Sequence, residues 1–225
     1  MGAAEYCLQA SSLSNILVYP LDESLVDVLD PYLMPMCLRP ECATDVIHSA
    51  VTNFTSGCQK DYRLPDNFGE YFEKWYPIGR KVACLEYTVN GQYCVTQTLR
   101  AFQNWIGKPL SKNYLWNGTV ASDIQNIPAN VLCTDCIAAA YAMIRTQIPS
   151  ESQQEFYDKY LYDKCGSDFP VGLIPLGTVS GTANSTADEP GPGASANGAS
   201  VTYVFGTGAS ALFMMVTVLF VELWA

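Results

Sequence analysis

One pair of cysteines in this sequence has a spacing that could support chemistry. Cys133 and Cys136 enclose two residues at the start of a predicted helix, an arrangement that resembles a thiol–disulfide exchange motif. A helix N-terminus lowers the pKa of a thiol and makes it reactive. Such a motif normally belongs to a βαβ unit, however, and the surrounding sequence does not indicate one. We therefore expect two structural cysteines, each bonded to a neighbouring segment of the chain.

Other residue types that carry catalysis show no convincing arrangement. His48 is the single histidine and lies away from the apolar face of its predicted helix, so we expect a solvated side chain and no metal site. Paired carboxylates could hydrolyse glycosides, but Glu70, Glu73, Asp163 and Asp168 have the spacing of solvated helix faces. We therefore expect a non-enzymatic protein without a cofactor. An extracellular enzyme that acts on cell-wall glycans is the alternative.

Several aromatic residues could stack on sugar rings. Such residues more often fill or half-cover a core, so carbohydrate binding is only one specific hypothesis for them. They are Tyr71, Phe72, Trp75, Tyr76, Tyr114 and Trp116.

The cysteines as a set indicate the compartment. All 9 lie within the first 165 residues, and one C-x2-C pair with one histidine does not make a typical zinc site. We interpret the set as disulfide-bonded, which requires an oxidising environment. Cys7 precedes the first strong helical pattern, so we expect it to be unpaired and the others to form four bridges of undetermined connectivity. The cysteines expected to pair are Cys37, Cys42, Cys58, Cys84, Cys94, Cys133, Cys136 and Cys165.

Glycosylation sequons agree with export. Asn53, Asn117 and Asn184 each begin an N-x-[ST] motif, and each is an expected N-glycosylation site. Residues 1–20 have neither a basic start nor a long apolar core, so we expect the secretion leader to lie outside this sequence.

Charge excludes one class of partner. The 225 residues carry 22 acidic and 12 basic side chains, a net charge of −10, and only 15% of the residues are charged. Nucleic-acid binding needs clustered Lys and Arg to release counterions from phosphates. We therefore expect no nucleic-acid partner.

The C-terminal region predicts a membrane anchor. Residues 176–200 are small, polar and rich in Ser, Thr, Gly and Pro, as in a flexible stalk. Residues 201–225 are apolar, and small residues precede them, which is typical of a GPI-attachment signal. We place the attachment at Asn197, with Ser195 and Gly198 as rivals. No Lys or Arg follows Lys164, which disfavours the alternative, a single-pass tail anchor held by cytoplasmic positive charge.

Apolar periodicity predicts a mainly α-helical, disulfide-stapled domain over residues 21–175, after an N-terminal segment 1–20. Pro77 is expected to end one helix, and Phe156, Tyr160 and Leu161 are expected to face the core in another. Asn90-Gly91 predicts a tight turn, so residues 81–93 form at most one small hairpin, or a loop closed by Cys84 and Cys94. The predicted helices cover residues 43–56, 66–76, 93–106, 133–148 and 151–164.

Four short motifs resemble a group of fungal secreted, GPI-anchored, cysteine-rich surface proteins of unknown function. The motifs are Val82-Ala83-Cys84-Leu85, Gly91-x-Tyr93-Cys94, Leu132-Cys133-Thr134-Asp135-Cys136-x-x-Ala139 and Cys165-Gly166-x-x-Phe169, within about residues 35–175. The resemblance implies an extracellular helical domain on the cell surface or wall, and it implies no catalytic residues. We therefore predict a surface protein with an adhesion or recognition role, held to the plasma membrane by lipid. Its expected partner is wall polysaccharide or another surface protein.

Overall fold

The computed structural model describes residues 3–62, 67–116, 119–175 and 178–180. Its architecture is mainly helical with one small sheet, as the sequence predicted. The helices are α1 (Ala3–Leu8), α2 (Ala10–Val18), α3 (Leu29–Cys37), α4 (Thr44–Tyr62), α5 (Phe68–Ala83), α6 (Cys94–Ile106), α7 (Lys112–Trp116), α8 (Thr119–Gln125), α9 (Ala129–Leu132), α10 (Asp135–Arg145) and α11 (Glu151–Cys165). A 3-10 turn over Leu25–Val28 leads into α3. The strands are β1 (Leu85–Tyr87), β2 (Gln92–Tyr93) and β3 (Thr178–Ser180).

The sheet contains the predicted hairpin and one unpredicted strand. β1 pairs antiparallel with β2 across the Asn90-Gly91 turn, where Gly91 has a φ of 65° that favours glycine. β3 pairs antiparallel with the other edge of β1. Residues 178–180 of the predicted stalk therefore belong to the sheet. Residues 181–225, which include the rest of the stalk and the predicted anchor, lie outside the described residues.

Helix α5 is longer than predicted. Pro77 was expected to end it, but α5 continues to Ala83 with Pro77 in its interior. Proline removes the hydrogen bond to the carbonyl four residues earlier. Burial of Tyr76 just before Pro77, and of Arg80 and Val82 after it, stabilises the continuation, because packing of a helix face outweighs local propensity.

Helix α11 has the predicted length but a different inward face. Phe156 was expected to face the core and is 65% exposed, whereas the neighbouring Tyr157 is buried. Leu161 is buried as predicted, and Tyr160 packs at the edge of the core. The apolar periodicity of this segment is weak, so the sequence did not distinguish two adjacent aromatic residues.

Four disulfides cross-link the domain, and they correct two predictions. Cys7 was expected to be unpaired but bonds Cys42. Cys58 was expected to be paired, but none of the four bonds includes it. The remaining pairs are Cys37–Cys84, Cys94–Cys136 and Cys133–Cys165. The alternative of a loop closed by Cys84 and Cys94 is therefore wrong.

The main core joins the N-terminal helices to the C-terminal ones. Leu25, Leu99, Phe102, Tyr141 and Leu161 belong to one buried cluster. Residues 3–18, which the sequence analysis set apart, contribute buried Cys7 and Ile16. The Cys7–Cys42 bond and the burial of Ile16 therefore hold α1 and α2 against the rest of the domain.

Candidate binding cleft

A polar cleft of about 220 Å³ lies where α6 meets the start of α3 and the start of β2. Its walls carry side chains that can both donate and accept hydrogen bonds. The lining residues are Asp30, Gln92, Thr96, Gln97, Arg100, Ala101 and Asn104. We treat this cleft as the candidate functional site, because binding sites combine concavity with a few convergent polar groups.

Helix α6 positions most of the cleft. Gln97, Arg100 and Asn104 are spaced by three and four residues, so they share one helical face. Leu99 and Phe102 are buried and fix the rotation of the helix. The polar face is therefore held outward by the packing of the apolar face behind it.

One hydrogen bond holds a second wall of the cleft against α6, and a disulfide fixes α6 itself. The buried Thr96 hydroxyl donates a 2.6 Å hydrogen bond to the Asp30 carboxylate, which joins α3 to α6. The Cys94–Cys136 bond ties the start of α6 to α10. Gln92 lies two residues before this cysteine, on β2, so the sheet and the helix place it beside the cleft.

The charges of the cleft nearly balance. Asp30 supplies one negative charge and Arg100 one positive charge. Arg100 Nη2 also lies 3.8 Å from Asp27 Oδ1 in an exposed pair, which contributes little to stability. Burial raises the pKa of the neighbouring Tyr93 phenol, and the carboxylates of Glu86 and Asp30 raise it further. Tyr93 is therefore a neutral hydroxyl at physiological pH.

The carboxamides of Gln92, Gln97 and Asn104 give the cleft its chemical character. Each carboxamide offers an acceptor oxygen and a donor NH2 group. Hydroxyl groups also donate and accept, so the arrangement matches a neutral polyhydroxylated ligand better than an anion. The cleft is smaller than the roughly 300–1,000 Å³ pockets of drug-sized ligands. Its size suits one small unit of a larger ligand.

Cys133 and Cys136 are structural cysteines, each bonded to another segment of the chain, as the sequence predicted. They do not bond each other, since Cys133 pairs with Cys165 and Cys136 with Cys94. Thr134 caps α10 by accepting a hydrogen bond from the Ile137 amide. Both sulfurs are oxidised, so neither provides the free thiolate that exchange chemistry requires.

His48 and the predicted sugar-stacking aromatics lie elsewhere in the fold. The His48 side chain is 67% exposed, with Nδ1 2.9 Å from Glu73 Oε1. Tyr76 is buried, and its hydroxyl accepts a 3.1 Å hydrogen bond from the Cys42 backbone N–H. Tyr114 is buried, and its hydroxyl donates to Asp123. Both tyrosines thus serve packing, and the Trp116 side chain lies outside the described residues.

The predicted modification sites are only partly within the described residues. Asn53 is exposed on α4. Asn117, Asn184, Asn197, Ser195 and Gly198 lie outside the described residues. Within the described part of the chain, no helix is long and apolar enough to span a bilayer.

Three charged groups outside the cleft, two of them buried and one partly buried, have structural partners. Arg80 donates to the carbonyls of Cys7, Met36 and Arg39. Lys112 donates to the Tyr19 carbonyl at 2.8 Å, and burial lowers the pKa of its ammonium. These groups join segments distant in sequence.

The third of these groups is Asp158, which accepts hydrogen bonds from Tyr141 and Arg145. It connects α11 to α10. Among the described residues, no group of three or more His, Cys, Asp or Glu side chains is placed to hold a metal ion.

The cleft was not predicted, although part of its signal is present in the sequence. The apolar positions of α6 are Val95, Leu99, Phe102 and Ile106, and they leave Gln97, Arg100 and Asn104 as a polar face. The approach of Asp30 and Gln92 depends on tertiary packing. No protein-family model, curated protein or solved structure matches the chain.

Proposed function

We propose that the chain is an extracellular surface protein that acts as a non-enzymatic recognition or adhesion module on the plasma membrane or cell wall. The observation that carries the proposal is the set of four disulfides, which uses 8 of the 9 cysteines. Such sets persist in oxidising compartments and are rare in the cytosol. The resemblance of the cysteine motifs to fungal secreted, GPI-anchored, cysteine-rich surface proteins supports the same placement.

The anchor in this proposal is a GPI lipid. The apolar residues 201–225, preceded by small residues around Asn197, support a signal that is exchanged for the lipid. Ser195 and Gly198 are the rival attachment sites. A single-pass span is the alternative, and it differs in keeping residues 201–225 in the mature protein.

The proposed recognition site is the cleft beside α6, and the proposed ligand is a neutral polyhydroxylated unit such as a sugar of a wall polysaccharide. The carboxamides of Gln97 and Asn104 support this ligand class because they complement hydroxyl groups. The balanced charges of Asp30 and Arg100 disfavour a strongly charged ligand.

Geometry favours binding over hydrolysis. Glycosidases place two carboxyl groups on opposite sides of the scissile bond. Asp30 is the one carboxylate among the described lining residues, and it accepts the Thr96 hydrogen bond. An extracellular enzyme that acts on glycans is therefore the second candidate, because Asp30 supplies the one carboxylate among the described lining residues.

A binding titration tests the recognition role. Full-length protein in detergent is titrated with neutral oligosaccharides prepared from cell-wall polysaccharides, and heat of binding is measured. We expect Gln97→Ala and Asn104→Ala to weaken binding about fivefold to tenfold each, because one uncharged hydrogen bond contributes about 1 kcal/mol. The matched control is Gln125→Ala, an exposed carboxamide on α8 that does not line the cleft.

Two outcomes would contradict the proposal. Unchanged affinity in both cleft variants would show that the cleft is not the site. Cleavage of the oligosaccharide that Asp30→Asn abolishes would establish the enzyme instead.

A further inference from the structure

The sequon at Asn53 is built into a helix in a way that separates its two essential residues. Successive residues of an α-helix are about 100° apart, so Asn53 and Thr55 point to nearly opposite sides of α4. Asn53 is exposed, whereas Thr55 is half-buried. The Thr55 hydroxyl donates to the Val51 carbonyl at 2.9 Å and the Thr52 carbonyl at 3.2 Å.

The middle residue of the sequon belongs to the packed side of α4. The Phe54 ring lies 6.1 Å from the Phe68 ring of α5. Val51 is buried one turn earlier, and a Cβ placed on Gly69 would lie 3.2 Å from its Cγ1. The two helices therefore approach closely, and the sequon is part of the surface that joins them.

An enzyme that recognises N-x-[ST] must contact both the asparagine amide and the hydroxyl two residues later. In folded α4 these groups of Asn53 and Thr55 lie on opposite sides of one helix. We propose that Asn53 accepts a glycan only before α4 forms and packs on α5, so that folding closes this site. The inference rests on the proposed export of the chain, since the transferase works in the secretory lumen.

The chemical step itself is ordinary N-glycosylation. The Asn53 amide nitrogen attacks the anomeric carbon of a lipid-pyrophosphate-linked oligosaccharide and forms a C–N bond. The C–O bond to the pyrophosphate breaks, the lipid pyrophosphate leaves with the electron pair, and the amide proton passes to a base of the transferase.

The local sequence keeps the site open until later residues arrive. Val51, Thr52 and Thr55 are β-branched, which lowers helix propensity. Helix α4 therefore depends on packing against α5, which lies further along the chain. The Cys37–Cys84 bond encloses both helices and cannot close before residue 84 has entered the lumen. Closure of the site thus competes with the transferase.

An acceptor assay with purified components tests the inference independently of cellular export. Full-length protein, produced without glycans, is offered with transferase and lipid-linked oligosaccharide in two states: folded, and reduced and unfolded. We expect mass spectrometry of the peptide to find glycan on Asn53 of the unfolded protein and none on Asn53 of the folded protein. A synthetic peptide of residues 48–57 is the positive control for the acceptor sequence.

A variant in cells provides the second readout. Gly69→Val crowds the α4–α5 contact at Val51 and should raise Asn53 occupancy, whereas Asp158→Asn, which loosens the distant α10–α11 contact, should not. Equal modification of folded and unfolded protein at Asn53 would overturn the inference. Absence of glycan from every sequon in cells, together with the expected result in the acceptor assay, would instead contradict the proposed export and leave the inference standing.

Discussion

Individual buried charges hold distant segments of this domain together. Arg80 is only 2% exposed, and its guanidinium donates to the carbonyls of Cys7, Met36 and Arg39. No carboxylate accepts from it in the described contacts. Leaving a buried carbonyl without a donor costs more free energy than one satisfied hydrogen bond contributes. Arg80 therefore acts as a connector between α1, the end of α3 and α5.

The first prediction concerns this connector. Arg80→Met preserves length and apolar packing but removes the three guanidinium hydrogen bonds to the Cys7, Met36 and Arg39 carbonyls. We expect the free energy of unfolding to fall by about 3 kcal/mol or more, measured by urea denaturation. Lys81→Met is the matched control, because Lys81 is exposed on the same helix. A loss no larger than that of the control would show that water replaces the guanidinium without cost.

Asp158 carries a pH-dependent share of the stability. Burial raises the pKa of its carboxyl, but the hydrogen bonds from Arg145 and Tyr141 outweigh this and hold the pKa below its usual value. A carboxyl with a lowered folded-state pKa stabilises the fold above its unfolded pKa of about 3.9. That stabilisation is lost as the pH falls through the folded-state pKa.

The second prediction uses Asp158→Asn. We expect a loss of about 1–2 kcal/mol at pH 7, discounted because Arg145 is partly exposed to solvent. The difference from wild type should shrink as the pH falls below about 4. Thermal denaturation at several pH values measures it. A difference independent of pH would show that packing, and not ionisation, causes the effect.

At the scale of elements, disulfides hold in place helices whose own sequences only weakly determine where they pack. Cys133 lies between α9 and α10, and Cys165 is the last residue of α11. Their bond holds α11 against the core, where only Tyr157 and Leu161 are buried from that helix. A cross-link over 32 residues limits the unfolded chain and thereby stabilises the fold.

The third prediction removes that bond. The double variant Cys133→Ala, Cys165→Ala should lose about 2–4 kcal/mol of stability. Amide hydrogen exchange should accelerate most in α11, because the lost bond held its last residue and only Tyr157 and Leu161 of that helix are buried. Gln153→Ala, an exposed substitution on the same helix, serves as the control and should leave both quantities unchanged. Uniform acceleration across all helices would contradict a local role for the bond.

Elements with a strong apolar period were predictable from the sequence, and those set by packing were not. The repeats around Ile47 and Leu99 located α4 and α6 because each buries one continuous face. The end of α5 was misplaced at Pro77, since the packing of Arg80 and Tyr76 extends it. α7 to α9 are too short for a period to appear. The cleft needed the approach of three elements, which no single segment encodes.

At the scale of the whole molecule, one cysteine is left over. The four disulfides connect segments from Cys7 to Cys165 and leave Cys58 as the remaining cysteine. The sequence indicated that one thiol would remain but assigned it to Cys7. The short N-terminal helix that brings Cys7 to Cys42 had no strong period, so its docking could not be foreseen.

The fourth prediction is the thiol map of the denatured, non-reduced protein. Alkylation followed by peptide mapping should recover the four disulfide-linked peptide pairs. The alkylating label should fall on Cys58 alone. Label on Cys7, together with a disulfide between Cys58 and another cysteine, would contradict this arrangement of the N-terminal helices.

Phospholipase release from intact cells tests the proposed placement of the molecule most directly. Phosphatidylinositol-specific phospholipase should free the folded, disulfide-bonded domain into the medium. Mass spectrometry should then find a C-terminal peptide ending near Asn197 and carrying the lipid's glycan. Retention of the protein on the cells, with a mature peptide that still ends at Ala225, would contradict the lipid anchor.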